Sequence, residues 1–328
     1  MGDVIVRSDF SDLYERLKQY ENVYMVYDRN VETFADEIAE AAGIQASMAI
    51  DADGSNKNMD TVLDICRFLL AMDADRKAFV LAVGGGTTTD IVGFAASIYK
   101  RGVRFAFVPT TLLAQVDASI GGKTGVNLDS FKNLIGTFSF AEFTYSCTAP
   151  LRTLSQRDLV SGYAEMLKSF IICSSELYEK AVAVLPSVTP DNVSVLVDLI
   201  QATQDFKTGV VERDPHEKGE RKCLNLGHTY GHAVEWWEQT HECEVEHTHG
   251  EAVAIGMVKV AELSEELGYA QKGLAQKIAA DLKRCGLPTE LPCPAEDLAE
   301  ALTKDKKNVG GKVKFVYIRE IGKVEWSA

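Results

Sequence analysis

The feature that most constrains this chain is a run of six apolar residues, Ala78–Val83 (AFVLAV), that leads directly into Gly84-Gly85-Gly86. A helical stretch from about Ile91 to Lys100 follows. A strand with no polar side must be covered on both faces, which is the condition of a parallel sheet between helices. Its neighbours repeat the arrangement. Asn22–Tyr27 (NVYMVY) reads as a strand ending at Asp28, and Val31–Ala42 as an amphipathic helix. Gln45–Ile50 reads as a short strand, Met59–Met72 as a helix and Arg104–Val108 as another buried strand. Strands separated by helix-length segments predict an α/β fold with a mostly parallel sheet.

After Pro150 the period changes. Gln156–Ile172, Val193–Glu212, Gly227–Gln239, Glu251–Leu267 and Leu274–Arg284 all carry the 3.6-residue helical repeat. Near the end Lys312–Ile318 alternates like a strand, with Gly322–Trp326 as its hairpin partner. The expectation is an α/β domain over residues 1–150 and a mostly α-helical domain over residues 151–328, a division that 328 residues accommodate.

The formal net charge is −14, which argues against nucleic acid or an anionic membrane as a partner. A small anionic ligand would need a local convergence of basic residues. No apolar run approaches the ~18 residues of a membrane helix. The first residues, MGDVIVRSDF, lack the basic-then-apolar order of a secretory signal, and Val6 stands where a myristoylation motif wants Ser or Thr. Seven scattered cysteines, never in CxxC, read as reduced thiols of a cytoplasmic protein.

Three places carry candidate chemistry. Gly84-Gly85-Gly86-Thr87-Thr88-Thr89-Asp90 joins strand to helix. Read alone, it serves equally as a phosphate cradle or as a tight turn with Asp90 capping the helix. It is not GxGxxG. Gly121-Gly122-Lys123-Thr124 imitates the end of a Walker A loop, but Asp117 occupies the position of that motif's first glycine. All six histidines lie between His216 and His249. His228 and His232 fall one helical turn apart, as metal ligands can, and His249 opens the next helix as a possible third. His241 and His247 read as bystanders in a polar connection. Glu165 and Lys168 fall three apart on one helix face, where a surface ion pair is the default. By the same default Lys132, Lys207 and Arg221 are surface charges.

Taken together and in this order, these pieces resemble the 3-dehydroquinate synthase family of sugar-phosphate cyclases. The matching segments are GGGTTTDIVGFAASIYKRGVRF, VPTTLLAQVDASIGGKTGVN, FKNLIGTF, SGYAEMLK, ERKCLNLGHTYGHAVE, HGEAVAIGMVK and KDKKN. The resemblance implies an N-terminal α/β nucleotide-binding domain and a C-terminal α-helical domain, a homodimer, NAD and a divalent metal, zinc or alternatively cobalt. It implies Glu165, His228 and His249 as the metal ligands, with His232 on the substrate side. It implies NAD contacts at Asp28, Asn30, Lys57, Gly85, Gly86, Thr87 and Asp90, and further ones at Thr110, Thr111, Leu113, Asp117, Lys132 and Thr153. Substrate contacts fall on Lys123, Asn133, Lys168, Lys207, Arg221, Asn225 and His232, with one of Lys306 and Lys307. Arg101 matches a residue that reaches the partner subunit's site.

The implied reaction converts 3-deoxy-D-arabino-heptulosonate 7-phosphate to 3-dehydroquinate and phosphate, in the shikimate route to aromatic amino acids. NAD is used and regenerated within it, so the net reaction is that of a carbon–oxygen lyase. The family's substrate carries a carboxylate and a phosphate, which basic residues from distant segments would meet. One departure stands out: the family's Gly-Glu-x-x-Lys is here Asp53-Gly54-Ser55-Asn56-Lys57, which puts one ribose contact in doubt. The competing readings are a sibling cyclase of the 2-deoxy-scyllo-inosose or 2-epi-5-epi-valiolone synthase type, and a metal-dependent alcohol or glycerol-phosphate dehydrogenase. Net NADH accumulation would single out the dehydrogenase.

Overall fold

The computed structural model describes residues 2–129, 131–241, 243, 246–298, 301–302 and 315–326. The chain packs as two compact units: Met1–Leu154 with Pro190–Pro215, and Ser155–Thr189 with His216–Ala328.

The first unit is built on six parallel strands. These are β1 (Asp3–Arg7), β2 (Val23–Asp28), β3 (Ala46–Ile50), β4 (Phe79–Gly84), β5 (Arg104–Pro109) and, after a hairpin of β6 (Lys123–Leu128) and β7 (Phe131–Phe138), β8 (Phe143–Cys147). Their order in the sheet is β1-β8-β5-β4-β2-β3. The alternation of strand side chains sorts the apolar residues onto two faces. Val26, Val80, Ala82, Phe105 and Phe107 pack with α3 (Met59–Ala71) and α4 (Gly86–Ile98). Met25, Tyr27, Leu81, Val83 and Val108 pack with α1 (Ser11–Leu17) and α2 (Glu32–Ala42). All six residues of β4 are buried, as expected of a strand lined by helices on both sides.

The helix after β2 covers one face and the helix after β4 covers the other, although the two strands are neighbours. Such a reversal opens a crevice at the carboxyl ends of the strands, where open α/β sheets bind ligands. Asp28 ends β2 and Gly84 ends β4, side by side at that edge.

The second unit begins with α5 (Gln156–Cys173), buried from Leu159 to Ile172, and α6 (Ser175–Val184). The next helix, α7 (Val197–Arg213), belongs to the first unit. The single division expected at residue 150 is thereby corrected. Gln204 of α7 donates to Gln115 O and Ser146 Oγ there, at 2.8 and 2.7 Å. The second unit resumes with α8 (His228–Thr240), α9 (His249–Glu266) and α10 (Leu274–Arg284), and an antiparallel hairpin of β9 (Val316–Glu320) and β10 (Lys323–Trp326). The residues of KDKKN, with Lys306 and Lys307, and the first part of the expected strand from Lys312 lie outside the described residues. Among the described residues no helix is long and apolar enough to cross a membrane. All seven cysteines are free thiols.

Candidate functional site

Glycines let three helices of the second unit approach one another. A side-chain carbon on Gly250 of α9 would land 1.9 Å from Ser161 O of α5, and one on Gly256 would land 1.9 Å from Gly227 O before α8. Only glycine permits such contact. The approach brings Glu165 from the middle of α5 against the first residue of α8, His228, and the first residue of α9, His249. The ligand atoms of these three side chains all lie within 4.8 Å of one another.

The histidine tautomers follow from their partners. His228 Nδ1 lies 3.2 Å from Leu226 O, which can only accept, so Nδ1 carries the proton. His249 Nδ1 lies 3.2 Å from Glu235 Oε1. Each ring thus turns Nε2 toward Glu165 Oε1, at 3.6 Å for His228 and 3.4 Å for His249. Both separations exceed ordinary hydrogen-bond length, so Oε1 of this fully buried carboxylate is left facing two imidazole nitrogens, while Oε2 pairs with Lys168. A tetrahedral ion at zinc bond lengths holds its ligand atoms about 3.4 Å apart. The cluster therefore fits a divalent metal with three protein ligands and one open position. His232 stands beside it, exposed, its ring 5.4 Å from that of His228.

Electrostatics sharpen the picture. Burial alone would raise the Glu165 carboxyl, but Lys168 and the two histidines hold it well below the usual range. Burial, reinforced by Lys168, pushes His228 down to about 3. Burial opposes the charge on His249 too, but the carboxylates of Glu165 and Glu235 beside it outweigh that and lift it to about 10. Lys168 forms an ion pair with Glu165, and the two are 1% and 0% exposed at their side chains. The surface pair expected from spacing is therefore a buried one. Arg221 and Lys207 are buried as well, against the same expectation, while Lys132 is exposed. Asn225 Nδ2 donates to Glu217 Oε1 at 2.5 Å.

In the first unit the glycine loop is shorter than expected. Gly85 is the residue before α4, and Gly86–Asp90 already form its first turns, so Asp90 is inside the helix and not its cap. Gly85, Gly86 and Thr87 are part-exposed at this N-terminus, whose first N–H groups have no partner within the helix. Thr110 N–H donates to Gly84 O at 2.9 Å, and a side-chain carbon on Gly85 would lie 3.1 Å from Thr111 Cγ2, which places Thr110 and Thr111 beside the loop, with Leu113 two residues further along the chain. Asp28 Oδ1 accepts from Asn30 N and Nδ2 at 2.9 and 3.0 Å. Lys57 Nζ donates to Asp90 Oδ2 and Asn133 Oδ1 at 2.5 and 2.6 Å. Burial lifts the Asp90 carboxyl above its usual value, against the pull of Lys57. Lys207 Nζ donates to Asp117 O and Oδ1, both at 2.6 Å. Thr153 Oγ1 donates to Pro150 O at 2.8 Å.

Two implied residues stand away from this group. Lys123 begins β6 opposite Phe138, at the other end of the hairpin from Asn133. Arg101 follows α4 with φ +69°, at the amino ends of the strands, while Gly86 lies at their carboxyl ends. Sequence reasoning missed Glu235 and Glu238. Glu235 lies seven residues after His228, two turns along the same helix face, and that spacing was the available signal.

Comparison with known proteins bears on these features. The N-terminal 3-dehydroquinate synthase family model matches residues 47–161, and the C-terminal one matches residues 162–308. A 3-dehydroquinate synthase of Rhizobium rhizogenes is 41% identical over 291 residues, 86% of this chain and 76% of that protein. One from Pyrococcus abyssi is 38% identical over 319 residues, 97% of this chain and 92% of that protein. Among solved structures, the 2-epi-5-epi-valiolone synthase of Streptomyces hygroscopicus subsp. jinggangensis, with NAD+ and Zn2+ bound, superposes with a TM-score of 0.89 at 28% identity, covering 100% of this chain and 92% of that one. Matches to both family models, with identities of 38% and 41% across most of each relative, make the chain a member of the 3-dehydroquinate synthase family.

Proposed function

We propose that the chain converts 3-deoxy-D-arabino-heptulosonate 7-phosphate to 3-dehydroquinate and phosphate, as a cytoplasmic homodimer that uses NAD+ and zinc. The observation that carries this reading is the cluster of Glu165, His228 and His249, whose buried carboxylate faces two imidazole nitrogens beyond hydrogen-bond length. The seven free cysteines support the cytoplasm.

When bound, NAD+ and the metal supply reversible oxidation of the C5 hydroxyl and Lewis-acid polarisation of its oxygen. The chain's own residues bind and orient. In the first unit Gly85, Gly86 and Thr87 offer helix N–H groups to the pyrophosphate, and Asp28 and Asn30 take the ribose. Lys57, Asp90, Thr110, Thr111, Leu113 and Thr153 line the cofactor, and Asp117 and Lys132 its nicotinamide end. Lys207 in that unit, and Lys168 and Arg221 in the other, are the cations that neutralise the substrate's carboxylate and phosphate, with Asn133 and Asn225 as hydrogen-bond partners; Lys123 joins them on the family resemblance alone. Lysine and arginine cations donate and cannot accept, so they hold the substrate still and leave proton removal to other groups. In this reading the departing phosphate takes the C6 proton, and His232 steadies it. Arg101 serves the partner subunit's site, a role supported by its place at the opposite end of α4 from the glycines.

The test is phosphate release from that substrate with and without NAD+, before and after chelation, while absorbance at 340 nm is followed. Release that needs both NAD+ and metal, with no net NADH, is the expected result. No release from protein shown to hold zinc and NAD+ would overturn it. The likeness to the valiolone synthase would then direct the search to sedoheptulose 7-phosphate.

A further inference from the structure

We propose that Glu235 and Glu238 of α8 form a clasp that positions His249, with Glu238 acting through His247; the proposal rests on the metal reading above. The two carboxylates are three residues apart on one helix face and both are buried, at 8% and 3% exposure. Like charges so placed repel, and each loses its hydration, so the arrangement persists only where partners compensate it.

Both find partners in one short segment. Glu235 Oε1 faces His249 Nδ1 at 3.2 Å. Glu238 accepts the backbone N–H of His247 at 3.0 Å and faces His247 Nδ1 at 2.5 Å. Thr248 between them is extended (φ −65°, ψ 161°) and caps α9. Two imidazoles two residues apart thus meet two carboxylates one helical turn apart. Arg157 of α5 holds the same segment from another side, donating to Glu246 O at 2.6 Å and to both oxygens of Glu251 at 2.9 and 2.6 Å.

The consequence falls on one atom. With Nδ1 held by Glu235, His249 has Nε2 left for the Glu165 side. Glu238 and His247 fix the backbone two residues earlier, and neither is among the three clustered ligands. They are positioning residues, and His247 is not the bystander its sequence context indicated. His241, by contrast, stacks on Trp237 with ring centroids 4.5 Å apart.

The experiment strips the full-length protein of metal and measures Zn2+ affinity by competition with a chelating dye. Glu238→Ala and His247→Ala are each expected to weaken Zn2+ binding about tenfold, the lower end of what outer-shell partners contribute. The double variant should be no worse than the weaker single one, since both cut one link. Glu238→Gln keeps an oxygen for the His247 N–H and should recover most of the loss. Melting curves of the metal-free forms separate this effect from general instability, which would not be rescued. Parent-like Zn2+ affinity in folded His247→Ala and Glu238→Ala overturns the clasp. If Glu238→Ala does not fold, His247→Ala alone decides. A parent protein that takes up no Zn2+, whatever the variants do, would overturn the metal reading itself and the clasp with it.

Discussion

A lysine three residues after a glutamate on a helix costs little when both point at water, and a great deal when neither does. Glu165 and Lys168 are the second case. A buried pair is sustained only when each partner's remaining atoms are also compensated. Here Glu165 Oε1 faces imidazole nitrogens at 3.4 and 3.6 Å, a spacing that a cation resolves. The i, i+3 spacing is the same on a wet face and a dry one, so the pair's burial could not be read from the sequence. For the same reason the HxxxH spacing favours His232 over His249, although the helix packing puts His249 nearer Glu165. The family resemblance, drawn from long motifs, points to His249 where spacing does not. Gly54 is a sharper test of that resemblance. A side chain there meets nothing within 4 Å, so Gly54→Glu should leave stability within about 0.5 kcal/mol. Restoring the family's carboxylate should tighten NAD+ binding, read by NAD+ titration beside a thermal melt. Unchanged affinity would take this position out of the ribose contact.

At the scale of elements, the start of α9 governs where His249 sits. Thr248 and Glu251 form a capping box: Thr248 Oγ1 accepts from Glu251 N, and Glu251 Oε2 accepts from Thr248 N at 2.7 Å. Burial would raise the Glu251 carboxyl, but hydrogen bonds from Arg157 and Thr248 outweigh it and lower it below the usual 4.5. A carboxyl with a depressed folded pKa adds stability above its unfolded value, and that stability is lost as the pH falls through the folded value. Glu251→Gln should therefore cost the metal-free protein about 1 kcal/mol at pH 7, a modest figure because Arg157 is half exposed. The gap should close at pH 3, measured by urea unfolding. A gap of equal size there would assign the loss to packing instead of charge. Other elements differ in how plainly the sequence announces them. The buried strands β2, β4 and β5 are legible as apolar runs. The β6–β7 hairpin is not, because FKNLIGTF lies largely exposed and both KTGVNL and FKNLIGTF carry glycine and lysine where a strand pattern would be sought. The start of α4 is hidden for a related reason: glycine and threonine form helices poorly, yet they open the N–H groups a phosphate would use.

At the scale of the molecule, the period change after Pro150 marks where helices begin, but it does not say which core a helix joins. α7 has the same helical repeat as α5 and packs in the other unit, held there by Gln204 and by Lys207 on Asp117. The chain thus crosses between units more than once, and a one-dimensional pattern cannot register that. The partition has a consequence for the cofactors. The glycine loop and its companions belong to the first unit, and all three clustered ligands to the second. The two binding functions should therefore fail separately. A side-chain carbon at Gly86 would lie 3.0 Å from Ala118 Cβ, and valine there would crowd the α4 N-terminus. Gly86→Val should weaken NAD+ binding at least tenfold and leave Zn2+ content at the parent level. His249→Ala should do the reverse, losing Zn2+ on dialysis while NAD+ affinity stays within about twofold. Both should abolish phosphate release, because the reaction needs the hydride acceptor and the Lewis acid in the same cycle. Isothermal titration with NAD+ and metal analysis of the same preparations read the two functions side by side. Loss of Zn2+ from folded Gly86→Val would show that the units do not hold their cofactors independently.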